Sequence, residues 1–175
     1  MQDYIKEIVD KDFYFHHSLN VVPKNNSFNL HMHDAFEIFY FIRGKAKMNI
    51  EDRFFELLPF DLCFIYLGHF HRVIPDTDFS YERKVIRFDY TFSRSFDPKD
   101  ILIDSLQNFN ILRGKDIKKN QIDNLFNEIP KLITYSDDLR RIGCISILSR
   151  LMLEISGIHA ISLELIPESP SNERV

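Results

Sequence analysis

Apolar and polar residues alternate along the first half of the chain in short runs that turn-forming residues interrupt. Between Phe13 and about Asp89 the runs are rich in aromatic and β-branched side chains, which is typical of an all-β arrangement. The pattern predicts strands at 13–17, 28–33, 36–42, 45–50, 53–57, 61–67, 71–74 and 80–89. Alternation resumes directly after Arg43-Gly44 and after Glu51-Asp52, as it does across a tight hairpin turn.

After residue 96 the spacing of apolar residues changes to that of helices. Asp97 and Pro98 predict an N-cap and first helical position for a short helix that runs toward residue 107. A second helical pattern begins at residue 116 and should be interrupted by Pro130, since proline cannot donate within a helix. A last helix is expected over 137–157, with Ser136 as its N-cap.

The last predicted helix has more apolar residues than one face can hold. A helix that is apolar on several sides must be covered on more than one of them. We therefore expect one side to pack on the strands and another on a second copy of the chain, as a homodimer. The residues expected at that interface are Ile145, Leu148, Met152 and Ile155.

Charge, cysteine content and apolar run length exclude several classes of protein. The 175 residues contain 22 Lys plus Arg against 26 Asp plus Glu, a net charge of -4, and so lack the basic excess that binding to a phosphate backbone requires. Cys63 and Cys144 lie within apolar runs, which predicts buried free thiols in a reducing compartment. No signal peptide and no run of about 20 apolar residues is evident. We expect a cytoplasmic protein without membrane contact.

The most specific pattern is a set of ionisable residues with even spacing. His31, His33 and Glu37 share one parity, so on a strand their side chains point to the same face. Phe39 and Phe41 continue that face and would line the interior. His71 follows a turn at Gly68 and can join the group from another strand.

Three interpretations of these ionisable residues stay open. A divalent transition metal could be held by His31, His33, Glu37 and His71. The same groups could form a metal-free polar patch that hydrogen-bonds a small ligand, or a structural network with no ligand. In each case the groups must be paired, because an unpaired buried polar group costs about 1–3 kcal/mol.

These residues also carry a resemblance to a known family. The spacing of His31, His33, Glu37 and Gly44 matches the first cupin motif, and Tyr66, Gly68 and His71 resemble a degenerate second motif. More narrowly, the chain resembles the N-terminal effector-binding and dimerisation domain of AraC-type transcriptional regulators. The resemblance is carried by segments 31–44, 58–62 and 81–89 and by the order of strands before helices. The resemblance extends over residues 13–160.

The resemblance implies a mainly β fold with α: a cupin double-stranded β-helix (jelly-roll) barrel followed by a C-terminal α-helical hairpin. It divides the chain into a barrel with an N-terminal arm at 1–96, a helical dimerisation region at 97–157 and a linker at 158–175. The linker would lead to a helix-turn-helix DNA-binding domain that these residues do not include, which makes DNA a partner of that domain alone. The implied site binds a small polar effector and needs neither catalytic residues nor a cofactor; its members are His31, His33, Glu37, Phe39, Phe41 and His71.

The alternative is a metal-dependent cupin enzyme of the dioxygenase or sugar isomerase type. It would use His31, His33, Glu37 and His71 as metal ligands. The chain has Phe60, Tyr66 and Pro75 where Gly, Pro and Asn are usual in cupin motifs. These departures and the helical hairpin favour the regulator.

Overall fold

The computed structural model describes residues 3–24, 28–117 and 119–164. Its strands are β1 (Tyr4–Val9), β2 (Phe13–Asn20), β3 (Phe36–Arg43), β4 (Ala46–Ile50), β5 (Arg53–Leu57), β6 (Leu62–Ile65), β7 (His71–Pro75), β8 (Tyr81–Phe88) and β9 (Ile111–Leu112). Its helices are α1 (Tyr90–Ser93), α2 (Ile101–Ser105), α3 (Lys119–Glu128) and α4 (Asp137–Glu164), with 3-10 segments at Gly114–Asp116 and Ile129–Thr134.

The strands form two antiparallel sheets that face each other. The larger sheet has the order β1-β2-β8-β3-β6-β9 and the smaller one β5-β4-β7. The chain crosses between the sheets after β3 and again after β5, β6 and β7, which is the alternation of a double-sheet jelly roll. The mainly β fold with a cupin-type jelly-roll barrel and later helices is therefore confirmed.

Seven of the predicted strands are present, with ends that differ by a few residues, and one is wrong. Segment 28–33 forms a loop, and its β-type pairing is a single antiparallel bridge between His31 and His71. Strands β1 and β9 were not predicted, because β1 buries little besides Ile8 and β9 has two residues. Since β1 pairs with β2, segment 13–17 is an internal strand. The barrel sheet also extends past residue 96 through β9, which pairs with β6.

Strand β3 is buried on both faces because it lies between two apolar layers. Phe39 and Phe41 point into the barrel, while Phe36, Ile38 and Tyr40 belong to a second cluster with the helices. Tyr40 stacks on Phe126 of α3, with ring centroids 5.1 Å apart. Tyr40 alternates with Phe39 and Phe41 and so faces outward from the barrel, where the helices cover it.

Two of the predicted helix boundaries move in the structure. Helix α2 begins at Ile101, because the Asp97 carboxylate accepts hydrogen bonds from the backbone N–H groups of Ile101, Leu102 and Ile103 at 2.8, 2.7 and 3.0 Å. Pro130 stands in the 3-10 segment that follows α3, so the predicted interruption is confirmed. Helix α4 continues to Glu164 and therefore includes the start of the predicted linker; positions 165–175 lie outside the described residues.

The expected dimer interface on α4 needs correction. Leu148, Met152 and Ile155 are at most 1% exposed and belong to the core between α4 and the barrel. Ile145 is partly buried against the same core. Leu148, Met152 and Ile155 stabilise the protomer itself, because burial against the chain's own barrel leaves them no surface for a second copy.

Helix α4 also modifies the expectation about membrane spans. Its segment Asp137–Ile161 has the length and the mean hydropathy, 1.4, of a membrane-crossing helix by composition alone. The core helix of a globular protein meets the same criterion. In this fold Arg140 and Arg141 of α4 form ion pairs with Asp10 and Asp12 of the barrel.

Candidate functional site

Three histidines meet at one end of the barrel. His31 and His71 exchange two backbone hydrogen bonds, N–H of His31 to O of His71 at 3.1 Å and the reverse at 2.9 Å. Their ring centroids are 4.3 Å apart, and those of His33 and His71 are 4.9 Å apart. One ring nitrogen from each lies within 4.8 Å of the others. The loop before β3 and the start of β7 thus bring together residues that are distant in sequence.

A backbone carbonyl orients each of the three imidazoles. Nδ1 of His31 donates to the carbonyl of Asn29 at 2.9 Å, Nδ1 of His33 to that of Ala35 at 3.0 Å, and Nδ1 of His71 to that of His69 at 2.9 Å. With Nδ1 as the donor, Nε2 is the ring atom of each histidine that remains to contact Glu37 or a metal ion. Histidines that bind metals are oriented by the same kind of contact.

Glu37 supplies the carboxylate of the cluster. It is 7% exposed, and its Oε2 lies 3.0 Å from Nε2 of His33 and 3.8 Å from Nε2 of His71. Burial would raise the pKa of Glu37, but the two imidazoles hold it well below its usual range. Burial would likewise lower the pKa of His71, yet the proximity of Glu37 raises it. The carboxylate is therefore ionised and acts as an acceptor.

The cluster fits a divalent transition metal by its donor set. Three imidazoles and a carboxylate are ligands that such ions accept. Nε2 of His71 is buried and has no hydrogen-bond partner among the described residues, and the 3.8 Å to Glu37 is too long for a direct bond. His31, His33, His71 and Glu37 are the residues that would hold the ion.

A cavity of about 420 Å³ opens beside the cluster and extends into the barrel. The predicted residues His31, Glu37, Phe39 and His71 line it. Two predicted site residues do not. His33 does not line the cavity but contacts Glu37, which does. Phe41 packs deeper in the barrel, where its ring centroid lies 6.0 Å from that of Tyr81. The apolar part of the lining consists of Phe28, Phe39, Met48, Val73 and Val85.

Several polar lining residues were missed from the sequence. Arg83 and Arg87 of β8 face the cavity on either side of Val85, and Tyr14 and His16 of β2 lie beside them. Positions 83, 85 and 87 share one parity, so alternation places all three on one face of the strand. That signal was present in the sequence, but it does not say which face is the interior.

The jelly-roll barrel with a partly enclosed cavity, lined by polar and apolar side chains, defines a cupin-type ligand-binding domain. A family model described as AraC-like ligand binding domain matches residues 23–117, more than half of the chain. The chain belongs to this family. A search of curated proteins finds no match.

Several solved structures are similar to part of this chain at low sequence identity. A protein from Photorhabdus luminescens is 23% identical over 47% of this chain and 68% of its own, with a TM-score of 0.40. A cupin 2 conserved barrel domain protein from Salinispora arenicola is 18% identical over 51% of this chain and 77% of its own, with a TM-score of 0.41. The Cnp3 cupin domain of Schizosaccharomyces pombe is 8% identical over 54% and 70%, with a TM-score of 0.45.

Proposed function

We propose that this chain is the effector-sensing and dimerisation part of an AraC-type transcriptional regulator, with no catalytic activity of its own. A small polar effector binds in the barrel cavity and contacts His31, Glu37, Phe39 and His71. The observation that carries the proposal is the cavity itself, in a chain of the AraC-like ligand-binding family. Its volume lies within the range of about 300–1,000 Å³ that small-molecule sites occupy.

Strand β8 offers a route from the cavity to the helices. Arg83 and Val85 line the cavity, whereas Lys84 between them lies on the opposite face. Nζ of Lys84 donates to Oδ1 of Asn127 in α3 at 3.0 Å. An effector that binds one arrangement of strand and helices more tightly than another shifts the population between them.

Binding inside the barrel can be tested by thermal denaturation with a panel of sugars, amines and organic acids. We expect at least one compound to raise the melting temperature of the native chain and to lose that effect in Val73→Trp, which fills the cavity. Phe54→Trp is the matched control, since Phe54 is exposed on the outside. The proposal is wrong if no compound of any class stabilises the chain, or if Val73→Trp responds as the native chain does.

We propose that the dimer forms through the exposed side of α4. This exposed stripe consists of Leu139, Ile142, Ser146, Leu153, Gly157 and Ala160. Together with Arg150, which is exposed on the same side, its members recur every three or four residues, which is the spacing of a helix–helix seam. The small residues Ser146 and Gly157 would allow a second copy of α4 to approach closely. Leu139, Ile142 and Leu153 are each more than half exposed, which is unusual for large apolar side chains on one helix face.

Sedimentation velocity tests the exposed stripe. We expect the native chain to sediment as a dimer and the Ile142→Glu, Leu153→Glu variant as a folded monomer. Phe70→Glu, at an exposed apolar residue of the barrel, should stay dimeric. A monomeric native chain, or a dimer that survives both glutamates, would refute the assignment. Flotation of the native chain with lipid vesicles would assign the stripe to a membrane instead.

In this proposal DNA recognition belongs to a separate domain, as is usual for regulators of this type. The net charge of -4 and the two aspartates that begin α4 do not suit contact with phosphates. We also propose a cytoplasmic location, since Cys63 and Cys144 are buried free thiols, as expected in a reducing compartment.

A bound transition metal is the second candidate for the same site. The unpartnered Nε2 of His71 beside His31, His33 and Glu37 is the observation that favours it. When bound, such an ion acts as a Lewis acid on a ligand oxygen, which would serve either effector binding or the chemistry of a cupin enzyme. The protein's own contribution is the orientation of the three rings by backbone carbonyls.

Metal analysis of protein purified without chelator separates these alternatives. A metal site predicts stoichiometric Fe, Mn, Ni or Zn that is lost in His31→Ala, His71→Ala. His69→Ala is the matched control, because only the backbone carbonyl of His69 contacts the cluster. If the native chain retains no metal after incubation with each ion, the metal site is ruled out and the metal-free effector site is the remaining candidate.

A further inference from the structure

Two arginines in the barrel cavity have no acidic partner among the residues that the structure describes. Arg83 and Arg87 both line the cavity, and within residues 3–24, 28–117 and 119–164 no carboxylate lies within ion-pair distance of either guanidinium. Arg43 is different, because it forms an ion pair with Glu82 of β8 at 2.7 Å. A guanidinium in a partly enclosed site normally has an anionic partner.

Neutral groups hold the two guanidinium groups in place. Arg83 donates to Oδ1 of Asn20 at 3.2 Å and lies over the rings of Tyr81 and Phe28, at 4.9 and 5.3 Å from their centroids. Arg87 lies over the ring of Tyr14 at 4.2 Å. Stacking on an aromatic face orients a guanidinium and leaves in-plane N–H donors for a ligand. An arginine has five such donors, and Asn20 takes one of those of Arg83.

The charge around the cavity is unbalanced. Glu37 is the carboxylate among the described lining residues, and its Oε2 lies against the imidazoles of His33 and His71. Among the described residues, Arg83 and Arg87 are therefore not ion-paired, although Glu37 lies opposite Arg87 on the neighbouring strand. The effect of their positive charge reaches His16, whose pKa is lowered to about 4 by burial and by both arginines, against the opposite influence of Glu7.

Part of the remaining cavity lining is apolar. Phe39, Met48 and Val73 line it along with Val85 between the two arginines. A ligand that satisfies both parts needs a negative group at β8 and a hydrocarbon or aromatic body against these side chains.

We propose that the effector is a small amphipathic organic acid whose carboxylate is held by Arg83 and Arg87 and whose apolar body contacts Phe39, Met48 and Val73. This inference rests on the proposed function and specifies its ligand class. Arginine matches a carboxylate with two parallel N–H donors, and the low polarity of the opposite wall strengthens that contact.

The test compares carboxylates with their uncharged amides of the same shape. Benzoate, phenylacetate, naphthoate and the straight-chain acids from butanoate to dodecanoate are measured against the corresponding amides, by thermal shift and then by calorimetry. We expect at least one acid to bind, its amide to bind at least tenfold more weakly, and the affinity for the acid to fall at least tenfold in Arg83→Gln, Arg87→Gln. Arg53→Gln, at an exposed arginine outside the cavity, should bind as the native chain does.

The Arg83→Lys, Arg87→Lys variant keeps both positive charges. It is the control for a loss of acid binding that misfolding of the glutamine variant would cause. It should retain more of the affinity for the acid than the glutamine variant. Equal binding of acid and amide, or unchanged acid binding in the glutamine variant, overturns the inference. If sugars or amines bind in the cavity and no acid does, the anionic ligand class is wrong while the proposed function stands. If no compound of any class binds, both are wrong.

Discussion

Arg141 of α4 forms a two-pronged ion pair with Asp12 in the turn between β1 and β2. Nη1 lies 2.5 Å from Oδ1, and Nη2 lies 2.8 Å from Oδ2. The Asp12 side chain is 8% exposed, and the hydrogen bonds from Arg141 lower its pKa. The guanidinium also lies over the ring of Phe92 at 5.1 Å. The pair joins the first turns of α4 to the end of the barrel sheet.

Loss of this pair should destabilise the protein. Arg141→Gln leaves a buried carboxylate without its charged donor, and we expect the free energy of unfolding to fall by about 1.5–3 kcal/mol. Urea denaturation measures the change. Lys47→Gln is the control, because Lys47 and Glu56 form an exposed pair whose loss should cost less than about 1 kcal/mol. Similar losses in the two variants would contradict a special role for Arg141.

Gly44 should be intolerant of any side chain. Its φ is +121°, and a Cβ there would lie 2.5 Å from the carbonyl oxygen of Ser80. We expect Gly44→Ala to cost more than about 2 kcal/mol, from backbone strain and the clash together. Gly68 also has a positive φ, +76°, but a Cβ there would meet no atom within 4 Å, so Gly68→Ala should cost about 1 kcal/mol. Denaturation midpoints of the two variants test this difference. Equal losses of stability would mean that the clash at Gly44 adds nothing to the backbone strain.

Stability should fall in mildly acidic solution because of His16. Its pKa drops from 6.5 to about 4 on folding, through burial and the charges of Arg83 and Arg87, although Glu7 opposes them. The unfolded chain therefore takes up a proton at higher pH than the folded chain. The stabilisation is complete above pH 6.5 and is lost as pH falls toward 4, by at most about 3 kcal/mol.

His16→Gln isolates this contribution, since glutamine does not titrate. The variant should show a flatter decline in unfolding free energy between pH 6.5 and 4 than the native chain. His69→Gln, in the turn before β7, should keep the native slope. Parallel pH profiles for all three proteins would mean that other groups cause the decline.

Two leucines on α4 should differ in what they stabilise. Leu151 is fully buried and Leu153 is 57% exposed. We expect Leu151→Ala to cost about 2–5 kcal/mol of protomer stability. Leu153→Ala should change that stability by less than about 0.5 kcal/mol and weaken self-association. Denaturation of dilute protein and sedimentation at several concentrations measure the two effects; an equal loss of stability in both variants would contradict the packing of α4.

The candidate site was accessible from sequence where it depends on spacing. His31, His33 and Glu37 could be grouped by parity, and His71 could be added as the residue after a turn. Their actual arrangement differs, because segment 28–33 is a loop held to β7 by one bridge. The arginines of β8 escaped notice since an arginine on an alternating strand normally faces water.

The sequence by itself determined the local elements: alternation marked most strands, Pro130 divided the helical region, and the excess of apolar residues on α4 showed that more than one side must be covered. Only the tertiary structure decided the direction of each face. An alternating strand has two faces of equal periodicity, and β3 buries both because helices cover the outside of its sheet. Likewise, packing against the barrel selects which side of α4 is buried. For this reason Leu148 and Met152, which were expected at the dimer interface, lie in the core.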